Sequence, residues 1–118
     1  MKLTLDYTQR LNLHALMGAQ RVNLDDLRLL WKLQDRIDLD AEQRAAINFQ
    51  IREINGMQQA TWDLSKSSLS PTEYEFTTEE FNRIARMVKE WQPGFLTTAD
   101  RRWLEPLLVQ LDNGQPKP

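Results

Sequence analysis

Apolar and polar residues alternate on both sides of Asn55-Gly56. An Asn-Gly pair favours a type I′ turn, because both central residues of that turn need a positive φ. With this pair as the loop of a hairpin over residues 49–62, alternation places four apolar side chains on one face: Phe49, Ile51, Ala60 and Trp62. The other face is polar except for Ile54 and Met57 beside the turn. An isolated hairpin is marginal in water, so we expect helices to cover that face.

Apolar residues at helical spacing predict about five helices. The first runs from Tyr7 to about Met17, and Gly18 is expected to end it as a left-handed cap. The fourth carries a buried stripe that includes Phe81 and Trp91. Short polar residues predict where helices begin: Asp6 for the first, Asn23 for the second, Asp40 for the third, Thr77 for the fourth and Thr97 or Thr98 for the fifth.

Two further segments, Lys2–Leu5 and Glu73–Phe76, alternate as strands do, and the first is expected at a sheet edge. The predicted fold class is therefore α+β, with about five helices around a small, mainly antiparallel sheet built on the hairpin (49–62). Residues 1–111 form one domain in this prediction. Residues 112–118, with a glycine and two prolines, form a flexible tail.

Composition limits the classes of protein to which the chain can belong. Its 118 residues are 41% hydrophobic and 27% charged, as is typical of one soluble domain. It contains no cysteine, which excludes disulfides and thiolate sites and suits a reducing cytoplasm. No apolar run approaches the length of a membrane span. The net charge of −2 has the wrong sign for general affinity to nucleic acid.

Motifs that carry catalytic chemistry are missing from the sequence, so we expect a protein that is not an enzyme. The only histidine, His14, is expected to have a structural role on the first helix. Asp38-Leu39-Asp40-Ala41-Glu42 spaces its carboxylates as a calcium loop begins, but the glycine such a loop needs is missing. No metal and no cofactor are predicted.

Basic residues on the second helix are candidates for partner contact. Arg28, Lys32 and Arg36 recur every fourth residue and form a ridge suited to an acidic partner or phosphate. The alternative is an ordinary solvated face, since Asp25 and Asp35 interleave with them.

Further candidates combine arginine with tryptophan, two residue types that dominate binding hot spots. Arg101 and Arg102 lie in the first turn of the last helix, where the helix dipole disfavours cations, and breaking that rule points to contact with a ligand or partner. Core packing is the default expectation for all four tryptophans, and Trp62 and Trp103 are the two for which partial exposure is most expected. Trp31 is expected to pack in the core.

Three helices followed by a hairpin also suggest a winged helix that binds DNA. The third helix would then read the DNA, but it presents Asp40, Glu42 and Gln43 and only one arginine, Arg44. Affinity for phosphates needs clustered positive charge, so this helix argues against DNA binding.

The order of several short segments resembles a loose group of small proteins encoded by tailed phages and prophages. These segments are Met1-Lys2-Leu3-Thr4-Leu5, Thr8-Gln9-Arg10-Leu11, Leu27-Arg28-Leu29-Leu30, Phe76-Thr77 with Glu79-Glu80, and Trp103-Leu104. The resemblance implies an accessory gene product that acts in the bacterial cytoplasm. Proteins of this kind commonly bind and block host components, including defence systems.

Together these observations suggest a non-enzymatic phage or prophage accessory protein that binds and blocks a host component. Its partner would be a host protein, as for a counter-defence inhibitor, or a small signalling ligand that it sequesters. A virion assembly component and a winged-helix-like DNA-binding regulator are the alternatives. The sequence leaves the oligomeric state open.

Overall fold

A computed structural model describes residues 1–63, 66, 71–90 and 100–114. The described residues form five helices and four strands, so the α+β fold class is confirmed. In chain order the elements are β1 (Lys2–Leu5), α1 (Tyr7–Gly18), α2 (Leu24–Ile37), α3 (Ala41–Ala46), β2 (Gln50–Ile54), β3 (Met57–Thr61), β4 (Thr72–Glu75), α4 (Thr78–Glu90) and α5 (Arg101–Gly114).

Four helices begin at the caps that the sequence predicts. At the first of them, the Asp6 carboxylate accepts a hydrogen bond from the Gln9 amide at 2.8 Å, and the Gln9 side chain accepts one from the Asp6 amide at 2.9 Å. This reciprocal pair is a capping box, which satisfies two otherwise unpaired donors. The other confirmed caps are Asn23, Asp40 and Thr77, whereas Thr97 and Thr98 lie outside the described residues.

The prediction for Gly18 is wrong, because this residue is the last of α1 and the cap is Ala19 in a right-handed conformation. The glycine serves a close approach between helices. A Cβ at Gly18 would lie 3.3 Å from Nε2 of Gln34 on α2, and that Nε2 donates to the carbonyl of His14 at 3.1 Å.

The core forms around β1 and β4, which come from opposite halves of the chain. They pair antiparallel, with Leu3 opposite Tyr74, and both Leu3 and Leu5 are fully buried. Burial raises the pKa of the Tyr74 hydroxyl, because a phenolate would lose its hydration there. The helices supply the rest of the core, including the predicted α4 residues Phe81, Ile84, Ala85 and Val88. Trp91 lies outside the described residues.

The hairpin forms as predicted, yet it is not the centre of the fold. Ile54 pairs with Met57, and Asn55 and Gly56 have φ values of 53° and 79°, as a type I′ turn requires. However, β2 and β3 make a separate two-stranded sheet. The expected helical cover is wrong, because Ile51 is 64% exposed. The apolar stripes of α1, α2, α4 and α5 instead join the core that contains Leu3 and Leu5 of β1.

A buried cation connects the core to the segment that carries the hairpin. Arg10 is 3% exposed, and its guanidinium donates to the carbonyls of Ile37 and Asp38 at 2.9 and 2.8 Å, at the end of α2. It also donates to the Gln43 side chain at 3.2 Å and lies 5.7 Å from the centre of the Tyr74 ring. Carbonyls at a helix C-terminus carry partial negative charge, which favours this cation.

The last helix is longer than the sequence suggests. The predicted tail begins at residue 112, but α5 continues to Gly114, whose Cα packs against the ring of Phe81. Residues 115–118 lie outside the described residues.

Candidate protein-binding groove

An open groove of about 450 Å³ lies between α1 and the hairpin. The hairpin side consists of the four predicted apolar residues, Phe49, Ile51, Ala60 and Trp62. The α1 side includes Leu11 and Ala15, and one end is polar, with His14, Asp38 and Arg44. The sequence predicts that a helix covers this side of the hairpin. Instead, it forms one wall of a groove, and α1 lies opposite without filling the space between them.

Two stacked aromatic rings give the groove a defined wall. The rings of Phe49 and Trp62 are 6.3 Å apart at their centres and inclined by 20°. Both side chains are half-buried. The Trp62 indole Nε1 donates to Thr8 Oγ1 on α1 at 2.9 Å, so the ring is held at the base of the hairpin. Phe49 is held in turn by Arg44, whose guanidinium lies 5.7 Å from the ring centre.

The polar end of the groove consists of three side chains from three elements. Asp38 accepts a hydrogen bond from Arg44 at 2.9 Å, and His14 Nε2 lies 4.0 Å from the same carboxylate oxygen. His14 therefore has an acidic neighbour that its position in the sequence does not reveal. Within the described ranges, no three or more histidine, aspartate or glutamate side chains are grouped as a metal site requires. The arrangement can offer hydrogen bonds to the polar end of a bound molecule.

Trp103 is buried, so ranking it among the tryptophans most inclined to partial exposure is wrong. It is 6% exposed, its Nε1 donates to Asp100 at 3.0 Å, and its carbonyl accepts from the Gln9 side chain at 3.1 Å. Trp62 and Trp103 contact consecutive residues of α1, Thr8 and Gln9, so the structure brings these two predicted residues to the same turn. The apolar stripe of α5 turns Trp103 inward.

The arginines beside Trp103 remain at the surface. Arg101 and Arg102 are both exposed. Arg101 pairs with Glu105 one turn later, and this hydrogen bond lowers the pKa of the Glu105 carboxyl and raises that of the Arg101 guanidinium. Arg101 is thus partly neutralised by its own helix.

The basic ridge of α2 is divided by the tertiary structure. Arg28 and Lys32 are exposed. Arg36 instead donates to the carbonyl of Glu75 at 2.6 Å and stacks 4.7 Å from the ring centre of Phe76, so it ties α2 to the core sheet.

Sequence reasoning missed Trp31, which is 51% exposed and lies between Arg28 and Lys32 on the outer face of α2. It was expected to pack in the core. The signal was present, because Leu30, Leu33 and Ile37 complete the buried stripe of α2, and a residue next to Leu30 points about 100° away from it.

Comparisons with protein-family models, with curated proteins and with solved structures found no match to this chain. The interpretation of the groove therefore depends on its geometry and on the chemistry of the residues in it. Over the described ranges, each helix is too short or too polar to cross a bilayer.

Proposed function

We propose that this chain is a non-enzymatic binding protein that takes an apolar segment of a host protein into the groove and so blocks that protein. The observation that carries the proposal is the uncovered apolar face of the hairpin, where Ile51 is 64% exposed beside the half-buried Phe49 and Trp62. Uncovered apolar surface that is rimmed by polar groups is typical of binding sites.

The chemistry of the groove supports a protein segment as the occupant. Tryptophan and arginine are enriched among residues that contribute most to binding. The polar atom of Trp62 already donates to Thr8, so a partner can cover the ring without leaving a donor unpaired. At the polar end, Asp38 and Arg44 neutralise each other, which favours an occupant with little net charge.

A phage or prophage origin and action in the bacterial cytoplasm belong to the same proposal. The resemblance to small phage-encoded proteins supports both. In that setting, an accessory protein that occupies a working surface of a host defence component would act as a counter-defence inhibitor.

A matched pair of variants tests the proposal. Ile51→Lys places a charge in the groove, whereas Met57→Lys places the same charge on the opposite face of the hairpin, at a residue that is 69% exposed. Each tagged variant is used to capture proteins from a bacterial lysate, followed by quantitative mass spectrometry. We expect wild type and Met57→Lys to enrich the same host protein, and Ile51→Lys to lose it.

Calorimetry with the purified partner then measures the effect. Ile51→Lys is expected to weaken binding by roughly tenfold or more, as for a residue at the centre of an interface. Equal capture by both variants would contradict the proposal. The proposal would also be contradicted if no partner depends on the groove and the chain is present in stoichiometric amounts in purified phage particles. That result would favour the assembly role.

Sequestration of a small signalling ligand is the second candidate. The volume of about 450 Å³ suits a small molecule, since ligand pockets are usually about 300–1,000 Å³. The stacked Phe49–Trp62 pair and Arg44 could hold a planar base. Calorimetry against nucleotide signals tests this role, and binding by wild type that Phe49→Leu abolishes would favour it over a protein partner.

A further inference from the structure

The two outer edges of the hairpin differ in a way that bears on self-association. Ile54 and Met57 flank the two-residue loop, and hydrogen-bonded pairs alternate with non-bonded pairs from there along an antiparallel ladder. Glu53 and Gln58 form a non-bonded pair, as do Ile51 and Ala60. The amides and carbonyls of these four residues therefore point outward. Among the described residues, no backbone hydrogen bond reaches them from outside the hairpin.

The edge formed by β3 lacks the usual protection against pairing. Natural sheet edges carry charges, prolines or bulges that prevent association. The strand reads Met57-Gln58-Gln59-Ala60-Thr61, with no charge and no proline, and its ladder with β2 runs without a bulge. Residues 57–60 are all exposed. By contrast, β2 contains Arg52 and Glu53.

We propose that two copies of this chain associate by antiparallel pairing of their β3 edges, which joins the two hairpins into one four-stranded sheet. A two-fold axis at Gln59 sets Gln58 of each copy opposite Ala60 of the other. Because both residues point their amides and carbonyls outward, this register makes hydrogen-bonded pairs with full complementarity. The Gln59 residues of the two copies meet on the axis, and neither side chain is charged.

The same operation on the other edge is unfavourable. Pairing of two β2 edges about Arg52 would place two guanidinium groups opposite each other, and like charges directly opposite destabilise a sheet. Pairing β3 of one copy with β2 of the next would leave further edges open and build an indefinite chain. Of these three pairings, the one between two β3 edges is both closed and free of repulsion. This association uses backbone groups at the edge of β3, so the inference goes beyond the function proposed for the groove.

A small interface of this kind forms a weak, concentration-dependent dimer, since interfaces below about 1,200 Å² are typical of transient contacts. The test is sedimentation velocity of the full chain over a wide range of concentration, with a matched pair of proline variants. Gln58→Pro removes an outward N–H from β3, and Glu53→Pro removes the corresponding N–H from β2, directly across the ladder. Proline is tolerated at edge positions whose N–H faces solvent.

We expect wild type and Glu53→Pro to shift from monomer to dimer over the same concentration range, and Gln58→Pro to remain a monomer throughout. Chemical shifts of the core sheet verify that each variant is folded. A monomeric wild type at every concentration overturns the proposal, as does a dimer that survives Gln58→Pro. Loss of the dimer in Glu53→Pro alone would assign the contact to β2 and overturn it as well.

Amide hydrogen exchange on the wild type provides a second measurement that needs no variant. At high concentration the Gln58 and Ala60 amides should exchange several-fold more slowly than in dilute solution, while those of Ile51 and Glu53 keep their rates. Protection of the β2 amides instead, or no change at either edge, contradicts pairing through β3.

Discussion

The two antiparallel sheets of this protein differ in how their sequence signals relate to burial. The hairpin of β2 and β3 has the stronger local signal, an Asn-Gly turn between alternating segments, and it lies at the surface with Ile51 64% exposed. The sheet of β1 and β4 joins two short, weakly marked strands from opposite halves of the chain, and there Leu3 and Leu5 are fully buried. Local signals determine that a hairpin forms, but not what covers it.

This difference suggests that the core sheet contributes most to stability, whereas the hairpin is free to contact a partner. Elements that contact many others in the core contribute most to the free energy of unfolding, whereas an element held at its base can present apolar side chains to a partner. The hairpin is held there by hydrogen bonds from the Asp63 amide to the Ile47 carbonyl at 2.8 Å and from the Phe49 amide to the Arg44 carbonyl at 2.9 Å. Substitutions in the two sheets should therefore have unlike effects.

The largest effect is expected in the core sheet. Leu3→Ala should lower the free energy of unfolding by about 2–5 kcal/mol, because it removes buried methyl groups and leaves a cavity. Urea unfolding followed by circular dichroism measures the change. A loss below about 1 kcal/mol would mean that β1 does not anchor the core.

The next largest effect is expected at Arg10, which links the core to the segment before the hairpin. Arg10→Leu should cost roughly 2–3 kcal/mol, since the carbonyls of Ile37 and Asp38 lose a charged donor. Arg10→Lys is the control that keeps the charge without the planar fork, and it should restore part of the loss in the same urea experiment. Wild-type stability in Arg10→Leu would show that the buried cation is dispensable.

A smaller and local effect is expected in the turn. Gly56 has a φ of 79°, which a β-branched residue adopts at a cost of about 1–2 kcal/mol, so Gly56→Val should open the hairpin. In amide hydrogen exchange, protection should fall at the amides that are bonded across the hairpin, such as those of Arg52 and Gln59, and stay unchanged at Leu3 and Leu5. A parallel loss of protection in β1 would show that the two sheets unfold together.

The smallest effect on stability is expected at the exposed groove residue. Ile51→Ala should change the free energy of unfolding by no more than about 0.5 kcal/mol, because the side chain is already largely in water. The same urea measurement applies, with Leu3→Ala as the reference for a buried position. A cost close to that of Leu3→Ala would show that a structured segment covers the groove in solution.

Much of the fold could be predicted from residues close together in the chain. Capping boxes at Asp6 and Asp40 and the turn at Asn55-Gly56 are local patterns, and they appear where the sequence places them. Of the candidate site, the apolar face of the hairpin was predicted with its four residues. Its neighbour His14 was not assigned to the site, because no local pattern connects the first helix to the hairpin.

The wrong predictions concern which side of a helix is buried against the rest of the protein. Trp103 was expected to be more exposed than Trp31, because Trp103 lies beside Arg102 and Trp31 lies beside the apolar stripe of its helix. In the structure their positions are reversed, with Trp103 6% and Trp31 51% exposed. Arg36 likewise does not belong to an exposed basic ridge, because it contacts Phe76 and Glu75. In each case the outcome depends on the packing partner of a helix, which its own periodicity does not specify.

By itself, the sequence determined the elements of this protein, because caps, turns and apolar spacing act within a few residues. Only the tertiary structure decided that β1 pairs with β4, that the helices pack there, and that the hairpin is left with one face open beside α1. The physical reason is that burial follows the total apolar area that distant segments can remove from water together, and that total cannot be read from any one segment.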